Sequence, residues 1–116
     1  MRILIVEDNP KMRLLLRMFL QDAAEVFECA DGDEALAAFS EYQPDWVVMD
    51  VQMERVGGIA ATQILKKEFP VSRVVMLSKH NDEEVQAAAC EAGASGYLVK
   101  DDLTALRRFL FLNQIH

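Results

Sequence analysis

The sequence predicts an α/β domain, a five-stranded parallel sheet flanked by five helices. Three observations carry this expectation. Short runs of β-branched and aliphatic residues, such as Ile3-Leu4-Ile5-Val6 and Trp46-Val47-Val48-Met49, read as buried strands. Segments with helical spacing and helix-start residues separate these runs, and the alternation continues without a gap to the end of the chain. Parallel neighbours need a crossover, and a right-handed helical crossover covers one sheet face, so the alternation implies helices on both faces.

Residues 2–6 are the first strand. Asn9 is a suitable N-cap with Pro10 at the first helical position, opening a helix to about Asp22. A short second strand covers 25–29, and Asp31-Gly32-Asp33 turns the chain into a helix reaching about Tyr42. Pro44 closes that connection, and 46–49 form the third strand. A loop over 51–57 leads to a helix over 58–69, ended by Pro70. Residues 73–77 are the fourth strand, Asp82 caps a helix to Ala92, and Gly93 stops it. The fifth strand is 96–99, and the last helix runs from Leu103 toward His116. No internal repeat, low-complexity tract or linker interrupts the pattern.

With 116 residues, the chain is expected to form one domain spanning 1–116. A hydrophobic share of 52% supplies a core, and a net charge of −7 without a basic stripe argues against direct nucleic-acid binding. The apolar runs fall short of a membrane span, and the first strand begins at once with no signal peptide before it, which points to the cytoplasm. Cys29 and Cys90 lack metal spacing and read as small reduced hydrophobes.

The chemistry gathers at strand ends. Glu7 and Asp8 directly follow the first strand, Asp50 the third, Ser78 the fourth and Lys100 the fifth. Ligands of open parallel sheets sit outside the carboxyl ends of the strands, where strand order reverses. Carboxylates crowded there raise one another's pKa unless a cation lies among them. Mg²⁺ suits such a set, because it takes one or two carboxylates, keeps several waters and binds phosphate oxygens. Asp8 and Asp50 would supply carboxylates, a main-chain carbonyl of the following loop (Gln52) a third ligand, and Glu7 a hold on a metal-bound water. Lys100 and the Ser78 hydroxyl would neutralise charge on a phosphoryl group in transfer. Asp50, central among them, is the candidate nucleophile that forms an acyl phosphate.

In this order the five positions Glu7-Asp8, Asp50, Ser78 and Lys100, with the tract Gly93-Ala94-Ser95-Gly96-Tyr97-Leu98-Val99-Lys100, resemble the receiver domains of two-component response regulators (CheY-like) over essentially the whole chain. The resemblance, rather than the alternation, implies a flavodoxin-like strand order 2-1-3-4-5. It also implies a phosphoacceptor served by a sensor histidine kinase or phosphotransfer protein, not a conventional enzyme. Ser78 and Tyr97 become the switch pair, and the helix 4–strand 5–helix 5 face becomes the surface for a homodimer or an effector. The chain departs from the family pattern at Glu54, where Pro usually follows the Met, at Gly57, where an acid is common, and at Lys79, where a small residue is usual. Asp101 follows Lys100 in place of a cis proline, so a trans bond is expected.

Two rival readings come from other classes. One is a receiver-like interaction module that is never phosphorylated. The other is a flavodoxin-like electron carrier, disfavoured because Glu7-Asp8-Asn9-Pro10 replaces the Gly, Ser and Thr that cradle a flavin phosphate. His80 reads as an exposed loop residue and Trp46 as core. In the first helix Met12, Leu15, Leu16, Phe19 and Leu20 have core spacing, with Leu14 and Met18 beyond it. In the last, Leu103, Leu106 and Leu110 have core spacing, leaving Phe109, Phe111 and Leu112 partly surplus for a partner.

Overall fold

The computed structural model describes residues 1–53 and 55–112. In chain order the elements are β1 (Arg2–Val6), α1 (Pro10–Leu20), β2 (Glu25–Cys29), a 3₁₀ turn (Gly32–Glu34) running into α2 (Ala35–Tyr42), β3 (Trp46–Asp50), α3 (Gly58–Glu68), β4 (Val74–Ser78), α4 (Glu83–Glu91), β5 (Gly96–Val99) and α5 (Leu103–Leu112). The strands form one sheet in the order β2-β1-β3-β4-β5, every neighbouring pair parallel. The order reverses between β1 and β3, which opens a crevice at their carboxyl ends.

Local chemistry starts and stops the helices much as the sequence predicts. The Asn9 side chain accepts from the N–H groups of Lys11 and Met12 at 2.9 and 3.2 Å, with Pro10 in the first turn. Asp82 does the same for Glu84 and Val85. Gly93, at φ 103°, ends α4 in the left-handed region. α1 closes at Leu20, two residues earlier than expected, because Ala23 N–H turns back to the Leu20 carbonyl at 3.1 Å. β3 and β4 each run one residue further than expected, since the ladder pairs Asp50 with Leu77 and Ser78 with Val99.

Strand alternation divides the core into two layers. Ile3, Ile5, Trp46, Val48, Val75 and Leu77 pack with α1 and α5 through Leu16, Leu20, Leu103, Leu106 and Leu110. Leu4, Val6, Val47, Met49, Val74 and Met76 pack on the other face with Ala35, Phe39, Ala61, Leu65 and Ala89 from α2, α3 and α4. Both faces of the central strands are covered, which is why they read as continuous apolar runs.

Three packing expectations are corrected. Leu15 is 47% exposed; the buried stripe of α1 centres on Leu16 and Leu20, so Leu15 lies with exposed Leu14 and Met18. Phe109 is not surplus. Its ring meets Trp46 edge-on at 5.3 Å and fills space above Gly96, where a Cβ would come within 2.6 Å of it. Phe111 packs on the core beneath the Arg107 guanidinium, 5.4 Å from the ring, while Leu112 remains exposed. Arg107 in turn ties α5 to the end of α1 through the Phe19 carbonyl at 2.8 Å and Asp22. Cys29 and Cys90 are both free thiols, Cys29 half-buried and Cys90 exposed on α4. No peptide bond among the described residues is cis, in line with the trans bond expected between Lys100 and Asp101. Glu54, which stands where proline is usual, and residues 113–116, over which the last helix was expected to continue, lie outside the described residues.

Candidate functional site

The site is built from one parity of the strands. Residues 3 and 5 of β1 and 46 and 48 of β3 face the α1–α5 layer, as does Leu98 of β5. Two residues further along each run stand Glu7, Asp50 and Lys100, so the same alternation that buries the core brings these three together at the sheet edge. The Lys100 ammonium lies 2.9 Å from Asp50 Oδ1 and 2.9 Å from Glu7 Oε1. Glu7 and Asp50 are almost fully buried, at 1% and 3% exposure, whereas Asp8 is half-buried at the mouth. Carboxylate oxygens of Glu7, Asp8 and Asp50 all fall within 4.8 Å of one another.

Main-chain donors and acceptors fix these groups. Asp50 Oδ1 also accepts from the Gln52 N–H at 3.2 Å. Glu7 Oε2 accepts from the Asn9 N–H at 3.2 Å, its own N–H reaches the Cys29 carbonyl, and its carbonyl takes a 2.8 Å bond from Arg13 Nη1. Arg13 is a contributor that sequence reasoning missed: nothing in the local pattern marks an α1 side chain that reaches back to the end of β1. Arg13 and Arg17 also share Glu28 of β2, holding α1 against the edge strand.

Gly58 explains part of the loop after Asp50. A Cβ there would lie 2.0 Å from the Asp50 carbonyl oxygen and 2.9 Å from Met76 Cε, and the Gly58 N–H bonds the Val51 carbonyl at 2.9 Å. The glycine serves close backbone approach; its φ is not in the left-handed region.

Electrostatics favour a cation at this site. Burial pushes the Glu7 carboxyl up to about 7, with help from its hydrogen bond and repulsion with Asp50, against the opposing pull of Lys100. Burial would lower the Lys100 ammonium, but its pairing with Asp50 and Glu7 raises it. Glu7 Oε1 is at ion-pair distance from Lys100 yet has no aligned hydrogen-bond donor, which leaves a buried oxygen with spare acceptor capacity. Three oxygen donors of hard character in one pocket, one of them underused, fit a divalent cation such as Mg²⁺.

Ser78 and Tyr97 belong to the opposite parity. Val74 and Met76 face the α2–α4 layer, Ser78 continues that series at 4% exposure, and Tyr97 packs against the same layer. The two converge on His80. Its N–H donates to Ser78 Oγ at 3.3 Å, and its carbonyl accepts from the Tyr97 hydroxyl at 2.8 Å. His80 and Lys79 are exposed in this loop, as the sequence suggested for His80. The seven residues singled out in the sequence thus divide into an acidic centre with Lys100 and a neighbouring relay through His80.

Comparison with known proteins decides the family. Residues 3–110 match the response regulator receiver domain. The chain belongs to that family. This receiver domain is 36% identical to YhcZ of Bacillus subtilis, named there as an uncharacterized transcriptional regulatory protein, over 100% of the chain and 55% of that protein. It is 37% identical to the chemotaxis protein CheY of Halobacterium salinarum over 85% of this chain and 83% of that protein. The crystal structure of a LuxR-family two-component response regulator from an Aurantimonas species superposes with a TM-score of 0.92 at 32% identity, covering 97% of this chain and 84% of the other. The chain spans about half the length of several curated relatives, 55% of YhcZ and 44% of the transcriptional regulatory protein DegU of Brevibacillus brevis. It is thus a signalling domain of two-component response regulators, with the flavodoxin-like strand order that the resemblance implied. Among the described residues no helix is long and apolar enough to cross a membrane.

Proposed function

We propose that Asp50 is the phosphoacceptor, taking a phosphoryl group from a phosphohistidine of a sensor kinase or phosphotransfer protein. The observation that carries this is the Lys100 ammonium held 2.9 Å from Asp50 Oδ1 and from Glu7 Oε1, with Asp50 as the buried last residue of a central strand. Lys100 and the Gln52 N–H both engage Oδ1, so attack falls to Oδ2. Oδ2 forms the new bond to phosphorus as the phosphorus–nitrogen bond breaks; its electron pair stays on that nitrogen, and the donor ring, protonated at its other nitrogen, leaves as neutral imidazole. Lys100 then pairs with a phosphoryl oxygen. Ser78 Oγ gives up its role as acceptor from His80 and donates to another.

Asp8 and Asp50, with the Gln52 carbonyl, are the residues that would hold Mg²⁺, and Glu7 would hold one of its waters. When bound, the ion supplies charge neutralisation to the phosphoryl oxygens. With burial holding its carboxyl up at about 7, Glu7 would release its proton near neutrality wherever a cation offset the crowded carboxylates.

The readout follows from His80. Moving Ser78 toward the phosphoryl group removes the acceptor of the His80 N–H and shifts the carbonyl that anchors the Tyr97 hydroxyl. Tyr97 then turns inward, and the α4–β5–α5 face changes its affinity for a second copy or an effector. The domain acts in the cytoplasm, as a phosphoacceptor rather than a conventional enzyme, and residues 1–116 act as one unit.

Intact mass after incubation with Mg²⁺ and a small phosphodonor tests this reading. Wild type should gain one phosphoryl mass; Asp50→Asn, nearly isosteric but not nucleophilic, should gain none while remaining folded. Phosphate uptake by Asp50→Asn would show that the acceptor lies elsewhere.

A further inference from the structure

Of the three clustered carboxylates Asp8 is the least buried, and it stands in the connection between β1 and α1. Its main chain is gripped on both sides. The Asp8–Asn9 peptide donates its N–H to Glu7 Oε2 at 3.2 Å, and the Asn9 side chain caps α1. On the other side, the Glu7 N–H reaches the Cys29 carbonyl at 3.2 Å, the last rung between β1 and β2. β2 ends there, and the next N–H, of Ala30, turns to Glu34 Oε1 at 2.9 Å. A carbonyl at the end of a strand must still find a donor. As β2 turns away, the Glu7 carbonyl takes its donor from α1 instead, Arg13 Nη1 at 2.8 Å.

Glu28 of β2 braces that guanidinium. Arg13 Nε lies 3.2 Å from Glu28 Oε1, while Arg17 pairs with Oε2. The Arg13 and Glu28 side chains are only 24% and 26% exposed, so solvent and salt screen them less than a surface pair. A guanidinium presents its donors in a rigid fork, which lets one side chain grip a carboxylate with Nε and a carbonyl with Nη1 at once. Bonds from an ionised donor are also roughly twice as strong as neutral ones.

We propose that Arg13, braced by Glu28, is a positioning residue of the Mg²⁺ site: it orients the Glu7–Asp8 peptide and, through it, the Asp8 carboxylate. This rests on the Mg²⁺-dependent reading above. Two effects of the residue have opposite signs. Its positive charge, close to the acidic cluster, opposes a cation. Its bond to the Glu7 carbonyl favours one, by holding a ligand where the metal needs it. Losing the charge alone would tighten Mg²⁺; losing the positioning would weaken it. Groups that orient metal ligands from behind change affinity by about 10- to 100-fold in known sites. With relieved repulsion acting the other way, the low end of that range is expected.

Calorimetric Mg²⁺ titration of wild type, Arg13→Gln, Arg13→Lys and Arg17→Ala is the test, with the carbon chemical shift of the Glu7 carbonyl in metal-free protein and phosphorylation rates against Mg²⁺ concentration. Arg13→Gln should weaken Mg²⁺ by about 10-fold and move the Glu7 carbonyl shift. The Mg²⁺ needed for half-maximal phosphorylation should rise by the same factor, while the rate at saturating Mg²⁺ stays near that of wild type. Arg13→Lys keeps the charge and one bond but not the fork, so it should fall between, at about 3-fold. Arg17 shares Glu28 but bonds the Val26 carbonyl, at 3.1 Å, in the middle of β2. Arg17→Ala should lower the melting temperature yet keep Mg²⁺ affinity within about 2-fold of wild type. Unchanged or tighter Mg²⁺ binding in Arg13→Gln would reduce Arg13 to a charge and overturn the proposal. An equal loss in Arg17→Ala would assign the effect to the seating of α1 and overturn it too. Should Arg13→Gln not fold, an affinity in Arg13→Lys equal to that of wild type would overturn it equally. Wild type that neither binds Mg²⁺ nor gains phosphate would instead defeat the underlying reading, and this one with it.

Discussion

Glu7 is where burial and charge conflict most. Its carboxyl is raised from an ordinary 4.5 to about 7 by desolvation and by Asp50. A raised carboxyl means that the folded state binds the proton more tightly than the unfolded one. The stabilisation from this residue is therefore complete below about pH 4.5 and is lost as pH rises through 7. Urea unfolding of metal-free protein should show wild type losing stability relative to Glu7→Gln between pH 5 and 8, and Mg²⁺ should narrow the gap. A constant difference across that range would place the Glu7 proton elsewhere. Asp8 poses the complementary case. Removing one of three clustered carboxylates should raise the melting temperature of the metal-free protein while weakening Mg²⁺ at least 10-fold, read by thermal scans and titration. Undiminished Mg²⁺ affinity in Asp8→Ala would take that residue out of the ligand set.

Elements decide which apolar residues are spare. Spacing along a single helix places Phe109 and Phe111 beside exposed Leu112, but β5 and α1 supply partners that spacing does not reveal: Gly96 and Trp46 for one ring, Arg107 and the α1 layer for the other. Phe109→Ala should accordingly cost about 2–3 kcal/mol in denaturant unfolding, near the lower end for a large aromatic because the ring is only half-buried. Leu112→Ala should stay within about 0.5 kcal/mol of wild type. Equal effects would mean that the surplus reading of α5 was right after all. Gly58 is a similar case. A Cβ there would lie 2.0 Å from the Asp50 carbonyl oxygen at the end of β3, which leaves no room for a methyl group. Gly58→Ala should cost about 3 kcal/mol, at the upper end for overpacking.

For the molecule as a whole, the proposed response to phosphate would depend on groups from two strand parities. Asp50 and Lys100 stand on the α1–α5 side, Ser78 and Tyr97 on the other; the His80 main chain joins the latter two, and the Lys100 N–H bonds the Ser78 carbonyl at 2.8 Å. A phosphoryl group adds about −1.5 to −2 charge and three acceptor oxygens, enough to draw Ser78 across. A coupling of about 1–3 kcal/mol would change partner affinity roughly 5- to 150-fold. Sedimentation with and without a phosphate mimic should show a shift in self-association for wild type, weakened in Ser78→Ala more than phosphate uptake is weakened. Unchanged amide spectra around Tyr97 on phosphorylation would remove the switch.

The sequence by itself determined the alternation, the five strand-end positions and the helix caps at Asn9 and Asp82, because each depends on neighbours within a few residues. It also carried the family, since the spacing of acids, hydroxyl and lysine against five strands is specific in combination. Tertiary structure alone decided the rest. The Lys100 bridge between Glu7 and Asp50 requires strands one, three and five to share a register. The exposure of Leu15 depends on how α1 is rotated against the sheet. The Arg13 bond to the Glu7 carbonyl and the Arg55 bond to Asp33 join segments whose contact no local periodicity encodes. Periodicity says which side of an element is apolar; only packing says what meets it, because the distance between two side chains is set by the whole sheet and not by the chain between them.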